Sequence, residues 1–90
     1  MDFEYDINKS LKNKDKHGID FEEAKLLWNN KHSLIIPANM VDNENRYAMI
    51  SKLNKKCFVA IFIMRNDKYR IISVRRCRKN EEKKYENNNS

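Results

Sequence analysis

The sequence predicts one small α+β domain in which two N-terminal helices pack on one face of an antiparallel β-sheet and a short C-terminal helix follows. Three observations support this fold class. Ninety residues suffice for one domain with one modest core. Two helix-capping patterns occur in the first third of the chain. The rest carries short apolar runs separated by polar turn residues, which is typical of strands. We expect residues 1–86 to form the domain and 87–90 to be a disordered tail.

The first helix is predicted from its two ends. After "FEYD", which has the alternation of a short strand, Asp6 can cap a helix that runs from Ile7 to about His17. Gly18 suits the residue after its last turn, because that position often needs a positive φ. Ile7 and Leu11 give this helix a narrow apolar stripe.

The second helix has a clearer signature. Asp20 followed three residues later by Glu23 is a capping-box pattern. The residues that share its apolar face at helical spacing are Phe21, Ala24, Leu27 and Trp28. We therefore expect Trp28 to be an anchor of the core rather than a platform for stacking bases.

Four strands are predicted after the helices. They are "SLIIP", "RYAMISKL", "CFVAIFIM" and "KYRIISVRRC". The continuous apolar run from Cys57 to Met64 reads as the central strand, covered on both faces. A hairpin loop follows it, and a three-residue loop at 66–68 would place Cys57 opposite Cys77. A two-residue loop would shift the register by one, and the residues do not decide between these alternatives.

Composition excludes several classes of protein. Nineteen Lys and Arg oppose thirteen Asp and Glu, which favours a polyanionic partner such as nucleic acid over a basic surface that serves solubility alone. No apolar run is long enough to span a membrane and no secretory signal is present, so we expect a cytoplasmic protein. Two cysteines make neither a disulfide framework nor a zinc site, and we expect small buried thiols, no metal and no cofactor.

Several motifs resemble a known family. They are "FEYD", "KHG" with Asn13 before it, "FEEA", "ENRY" before a strand, and "YRIISVRR" before a charged segment that ends in "YE". In this order they resemble BrnT-type toxins of type II toxin–antitoxin systems. The sequence departs from the family pattern at Tyr5 and Tyr47, where tryptophan is common, at Ser51, and at Glu81 and Glu82, which dilute the basic segment.

The resemblance implies a RelE-like fold and a metal-independent endoribonuclease that inhibits translation and growth. It also implies a BrnA-like antitoxin that neutralises the toxin in a hetero-oligomeric complex and contacts DNA through its own domain. The substrate would be RNA, whose 2′-hydroxyl can attack the adjacent phosphate. Such an enzyme must accept that proton, stabilise charge on the phosphorus and protonate the leaving oxygen.

Arginine and histidine are the candidate catalytic groups. Guanidinium binds phosphate through planar, bidentate contacts, so Arg46, Arg75 and Arg76 are predicted to stabilise the transition state. Strand alternation puts Arg70 and Arg76 on one face and Arg75 on the other. His17 is the candidate for proton transfer. A second role for His17, a cation at the end of a helix dipole, stays open.

The remaining candidates are predicted to bind RNA or to assist. Tyr85 is a possible acid or stacking group, against simple docking of the last helix. Lys9, Lys12 and Lys16 fall at helical spacing on one side of the first helix and, with Arg70, are expected to contact phosphates. The alternative function is a non-catalytic module, whose basic surface binds RNA or docks an antitoxin.

Overall fold

A computed structural model describes residues 2–89. Its elements, in chain order, are β1 (Phe3–Glu4), α1 (Ile7–His17), α2 (Phe21–Ala24), a 3-10 helix (Lys25–Asn29), β2 (Leu34–Pro37), β3 (Tyr47–Leu53), β4 (Lys56–Arg65), β5 (Lys68–Arg76) and α3 (Lys79–Asn88). The strands form one sheet in the order β1-β5-β4-β3-β2. The chain is therefore an α+β protein with β4 at the centre of its sheet.

Both predicted helix starts are confirmed. The Asp6 carboxylate accepts hydrogen bonds from the backbone N–H groups of Asn8 and Lys9, and Gly18 ends α1 with φ of 76°. Asp20 and Glu23 form the capping box of α2. After Ala24 this helix tightens into the 3-10 segment, and the Ser51 hydroxyl donates to the Leu27 carbonyl there.

The prediction of a fully antiparallel sheet is wrong at one edge. β1 pairs with β5 in parallel, with Phe3 opposite Tyr69 and Glu4 opposite Arg70. Most of the chain lies between β1 and β5, so no hairpin turn forces these two strands to pair antiparallel. Its direction instead leads the chain straight into α1, which lies along β5. The other four strands pair antiparallel, as expected.

A β-bulge settles the register of the β4–β5 hairpin. The turn has two residues, Asn66 and Asp67, both with positive φ, as in the tight turns that suit hairpins. Pairing passes from Phe62 opposite Ile71 to Ile61 opposite Ser73, which leaves Ile72 as an extra residue on β5. The bulge adds the one residue that the two-residue turn lacks.

The bulge brings the two cysteines together. Cys57 and Cys77 are opposite each other and form a disulfide, with Cα atoms 5.3 Å apart. The expectation of small buried thiols, which assumed a reducing cytoplasm, is therefore wrong. The alignment of the two cysteines was left open with the loop length, and the bulge provides it together with a two-residue turn.

Each face of the sheet has its own core. The α2 face packs the side chains of α2 and the 3-10 helix on the sheet, and its buried strand residues are Met49, Phe58, Ala60, Phe62, Ile71 and Val74. The α3 face, on the opposite side, packs Tyr85 of α3 with Ala48, Ile50, Cys57 and Val59. Trp28, predicted to anchor the core, is half-buried against Phe62 on the α2 face.

The buried side of α1 and the end of α3 are two local features that the sequence patterns did not indicate. The buried side of α1 is polar, since Ser10 and Asn13 are buried while Ile7 and Leu11 are 60% and 59% exposed. The tail was expected to begin at residue 87, yet α3 continues to Asn88. Ser90, the last residue of that tail, lies outside the described residues.

Candidate active site

A basic cleft lies between α1 and the bulged part of β5. Its walls are Lys9, Lys12, Asn13, Lys16 and His17 from the helix and Ile72 and Ser73 from the strand, and they enclose about 310 Å³. We call this set the basic cleft. None of these lining residues carries a carboxylate. The three lysines predicted to contact phosphates and the histidine predicted to transfer a proton thus share one concave surface, where the lysines can neutralise phosphate charge.

A buried amide fixes the width of this cleft. The Asn13 side chain donates to the carbonyls of Ile19 (2.7 Å) and Val74 (2.9 Å) and accepts a hydrogen bond from the Val74 N–H (3.2 Å). The two-residue strand β1 pairs only with Tyr69 and Arg70, so the edge of β5 at Val74 has no neighbouring strand among the described residues. Asn13 therefore pairs with this edge as a strand would, and it holds α1 beside the bulge.

His17 occupies the last residue of α1 and is half-buried. The preceding Lys16 and the following Gly18, whose N–H donates to the Lys14 carbonyl, complete the helix end. This position is compatible with a cation at the helix dipole and with a proton-transfer group facing the basic cleft.

Arg46 and Arg70 belong to one row across the sheet. Arg70 is opposite Ile63 on β4. Arg46 precedes Tyr47, the partner of Phe62, so it extends β3 to the level of Ile63. Arg46 and Arg70 each neighbour a residue of the α2 face, Tyr47 and Ile71, and therefore belong to the α3 face. At the usual strand spacing their Cα atoms are about 10 Å apart.

Arg75 is held by a carboxylate of α3. Its guanidinium donates two hydrogen bonds of 2.8 Å to the two oxygens of Glu81. These bonds lower the pKa of the Glu81 carboxyl to about 2, with a further hydrogen bond from the Arg78 N–H acting in the same direction. Arg75 is opposite Val59, four residues from Ile63 along β4 and about 13 Å away. The backbone thus does not bring Arg75 together with Arg46.

Arg76 lies on the other side of the sheet from Arg70. Its guanidinium stacks over the Phe58 ring of the α2 face, 5.5 Å from the ring centroid, and donates to the Cys57 carbonyl. Simple alternation placed Arg70 and Arg76 on the same face. That prediction is wrong because the bulge at Ile72 reverses the alternation after it.

Tyr85 is a core residue of α3. It is buried on the α3 face, and its hydroxyl accepts a hydrogen bond from the Asn30 side chain. Lys52 lies over its ring at 5.6 Å. This environment matches the docking role that was the alternative for Tyr85.

Sequence reasoning missed three members of the basic cleft. In the sequence, Asn13 stands out only as part of a family motif, and Ile72 and Ser73 follow the pattern of an ordinary strand. No local pattern marks a bulge. The residues between Cys57 and Cys77 are odd in number, however, and a two-residue turn can align the two cysteines only if one strand carries an extra residue.

The described part of the chain offers neither a cluster of metal ligands nor a membrane-spanning helix. Within residues 2–89 no group of three or more His, Cys, Asp or Glu side chains could hold a metal ion. None of the helices in that range is long and apolar enough to cross a membrane.

Comparison with known proteins identifies the family. The model of a family described as "Ribonuclease toxin, BrnT, of type II toxin-antitoxin system" matches residues 5–81. No curated protein gives a significant match. The matched range covers most of the chain, which therefore belongs to the BrnT family of ribonuclease toxins, and a toxin of a type II system has an antitoxin as its partner.

Proposed function

We propose that this BrnT-family ribonuclease toxin binds the RNA backbone in the basic cleft and cuts it by attack of the RNA's own 2′-hydroxyl. The observation that carries this proposal is the cleft itself, whose lining brings three lysines and a histidine together and includes no acidic residue. The ammonium groups of Lys9, Lys12 and Lys16 neutralise successive phosphates. His17 transfers a proton at the end of the cleft.

The arginines supply the charge that the transition state needs. Arg46 and Arg70 share the row on the α3 face, and Arg46 has a buried Nε without a hydrogen-bond partner among the described residues. Because this Nε is buried, the terminal Nη donors of the guanidinium would bind the developing phosphorane oxygens. Arg46 is therefore our first choice for the transition-state cation.

Arg75, Arg76 and Tyr85 keep supporting roles in the proposal. Arg75 reaches a phosphate only when the Glu81 carboxylate leaves it. Arg76 is exposed and contacts RNA that passes around the end of β5. The Tyr85 hydroxyl acts on RNA only if α3 moves, because Asn30 holds it.

The antitoxin is proposed to act on the same surface. A BrnA-like partner that contributes acidic side chains to the basic cleft would compete directly with RNA phosphates. The protein has a formal net charge of +6, so such a partner gains affinity and a faster encounter from charge complementarity. We propose a complex with more than one copy of each chain, in which DNA is contacted through the antitoxin.

The test compares three cleft or row variants with one distant variant. RNA cleavage and growth arrest are measured for Arg46→Ala, His17→Ala and Lys12→Ala, and Lys31→Ala serves as an exposed control outside the site. Arg46→Ala should lower the cleavage rate about a hundredfold, as loss of one preorganised donor does elsewhere. Lys12→Ala should weaken RNA binding and lower its salt slope by about one.

The outcomes separate the candidate functions. Each variant is first shown to be folded by circular dichroism. If the parent cuts no RNA but binds it with a strong salt dependence, the chain is a non-catalytic RNA-binding module. If it binds only an antitoxin, the basic surface serves docking. If folded Arg46→Ala, His17→Ala and Lys12→Ala all match the parent in toxicity, the proposed site is wrong.

A further inference from the structure

We propose that Glu4 is a further catalytic residue, whose carboxylate accepts the proton of the attacking 2′-hydroxyl beside the guanidinium group of Arg70, in the row of residues that also contains Arg46. This inference rests on the proposed function, because it assigns a base to the same RNA-cutting site. It arises from the strand register and from two unsatisfied buried atoms.

The register places an acid in the arginine row. Glu4 of β1 is opposite Arg70, and Arg70 is opposite Ile63. Phe3 packs with the core of the α2 face, so its neighbour Glu4 belongs to the α3 face, as Arg70 and Arg46 do. The row therefore reads Glu4, Arg70, Ile63, Arg46 across four strands. One carboxylate and two guanidinium groups share one sheet face.

Glu4 keeps an oxygen that can accept a proton. Its Oε1 is buried without a hydrogen bond among the described residues, and the Nη1 of Arg70 is 3.6 Å from it. By contrast, Glu81 has both oxygens hydrogen-bonded by Arg75 at 2.8 Å. Glu81 is a saturated ion pair, whereas Glu4 is held near a cation through its buried Oε1 and forms no hydrogen bond there. Its side chain is 29% exposed, so RNA reaches the carboxylate from the exposed part and not through Oε1. An acceptor of this kind is what a general base requires.

The row adjoins the basic cleft along β5. Arg70 precedes Ile72 of the cleft by two residues, which is about 7 Å along a strand. RNA that lies in the cleft thus brings its next phosphate to Arg70, and the carboxylate beside Arg70 faces the sugar. The cleft binds the backbone while the row carries the chemistry.

The step balances with the groups present. The 2′-O–H proton passes to the Glu4 carboxylate as the 2′-oxygen forms a bond to phosphorus. The bond from phosphorus to the 5′-oxygen breaks, and that oxygen takes a proton from a cationic side chain of the basic cleft. The products are a 2′,3′-cyclic phosphate and a 5′-hydroxyl. Glu4 then releases its proton to solvent, and the donor regains one.

The experiment uses the variant Glu4→Gln, which keeps the shape of the side chain but removes the base. Cleavage of a mixed-sequence labelled RNA is measured across pH, and affinity is measured with the same sequence carrying 2′-O-methyl groups, which cannot react. We expect the cleavage rate to fall at least about a hundredfold at every pH measured. The Kd should stay the same or fall, because a negative charge beside the phosphates is removed.

Glu44→Gln is the matched control, since Glu44 forms a half-exposed ion pair with Arg65 at 3.3 Å, outside the row. It should leave the rate unchanged. Glu4→Asp keeps the charge and should retain part of the activity, so it replaces Glu4→Gln if that variant does not fold. A folded Glu4→Gln that cuts as fast as an active parent overturns the role of Glu4 alone. A parent that does not cut RNA overturns the proposed function, and this inference with it.

Discussion

The two N-terminal helices are attached to the sheet by opposite means. α2 and the 3-10 helix bury apolar side chains, with Phe21, Ala24 and Leu27 at most 1% exposed. α1 buries Ser10 and Asn13 and leaves Ile7 and Leu11 in solvent. Apolar contact is non-directional, whereas hydrogen bonds fix an element in one position. The comparison indicates that α2 stabilises the fold and that α1 is positioned for the cleft it lines.

The largest effect is expected where the attachment is apolar. Phe21→Ala should lower the free energy of unfolding by about 3–5 kcal/mol through lost burial and an unfilled cavity. In a domain of this size that is a large share of the total stability. Urea unfolding followed by circular dichroism measures it. A loss below about 1 kcal/mol would mean that α2 does not anchor the core.

A smaller but more local effect is expected for the polar attachment. Asn13→Ala leaves the N–H and carbonyl of Val74 and the carbonyl of Ile19 without their partner, at a cost of about 2–3 kcal/mol. It should also reduce RNA affinity, because α1 loses its fixed distance from β5. Affinity for uncleavable RNA and urea unfolding are measured together.

Asn13→Asp is the matched control for that experiment. It keeps the acceptor for the Val74 N–H but turns a carboxylate toward two carbonyl oxygens, so it should be no more stable than Asn13→Ala. If both variants lose stability but bind RNA as the parent does, α1 is structural and does not position the cleft.

The smallest effect is expected on the exposed side of α1. Leu11→Ser should change the free energy of unfolding by less than about 0.5 kcal/mol, because Leu11 is 59% exposed. The same change at fully buried Leu27 should cost several times more. Comparable losses for Leu11→Ser and Leu27→Ser would show that the outer side of α1 is covered in solution.

Local sequence determined the elements of this protein. Asp6, Gly18, Asp20 and Glu23 cap helices through bonds to residues within four positions, so their patterns could be read directly. The apolar run around Phe62 likewise predicted the central strand, since burial on both faces leaves no room for polar residues. The resemblance to the BrnT family rested on such short motifs and was confirmed by the family match.

Tertiary structure alone decided how these elements form a site. The bulge at Ile72 reverses the faces of the residues after it, which separates Arg76 from Arg70 and aligns Cys57 with Cys77. The apolar stripe of α1 faces solvent, because hydrogen bonds to the edge of β5 hold the helix through Asn13 on its other side. Alternation and helical periodicity describe one element at a time. The register between strands depends on partners distant in sequence, so only the folded chain places Glu4, Arg70 and Arg46 in one row.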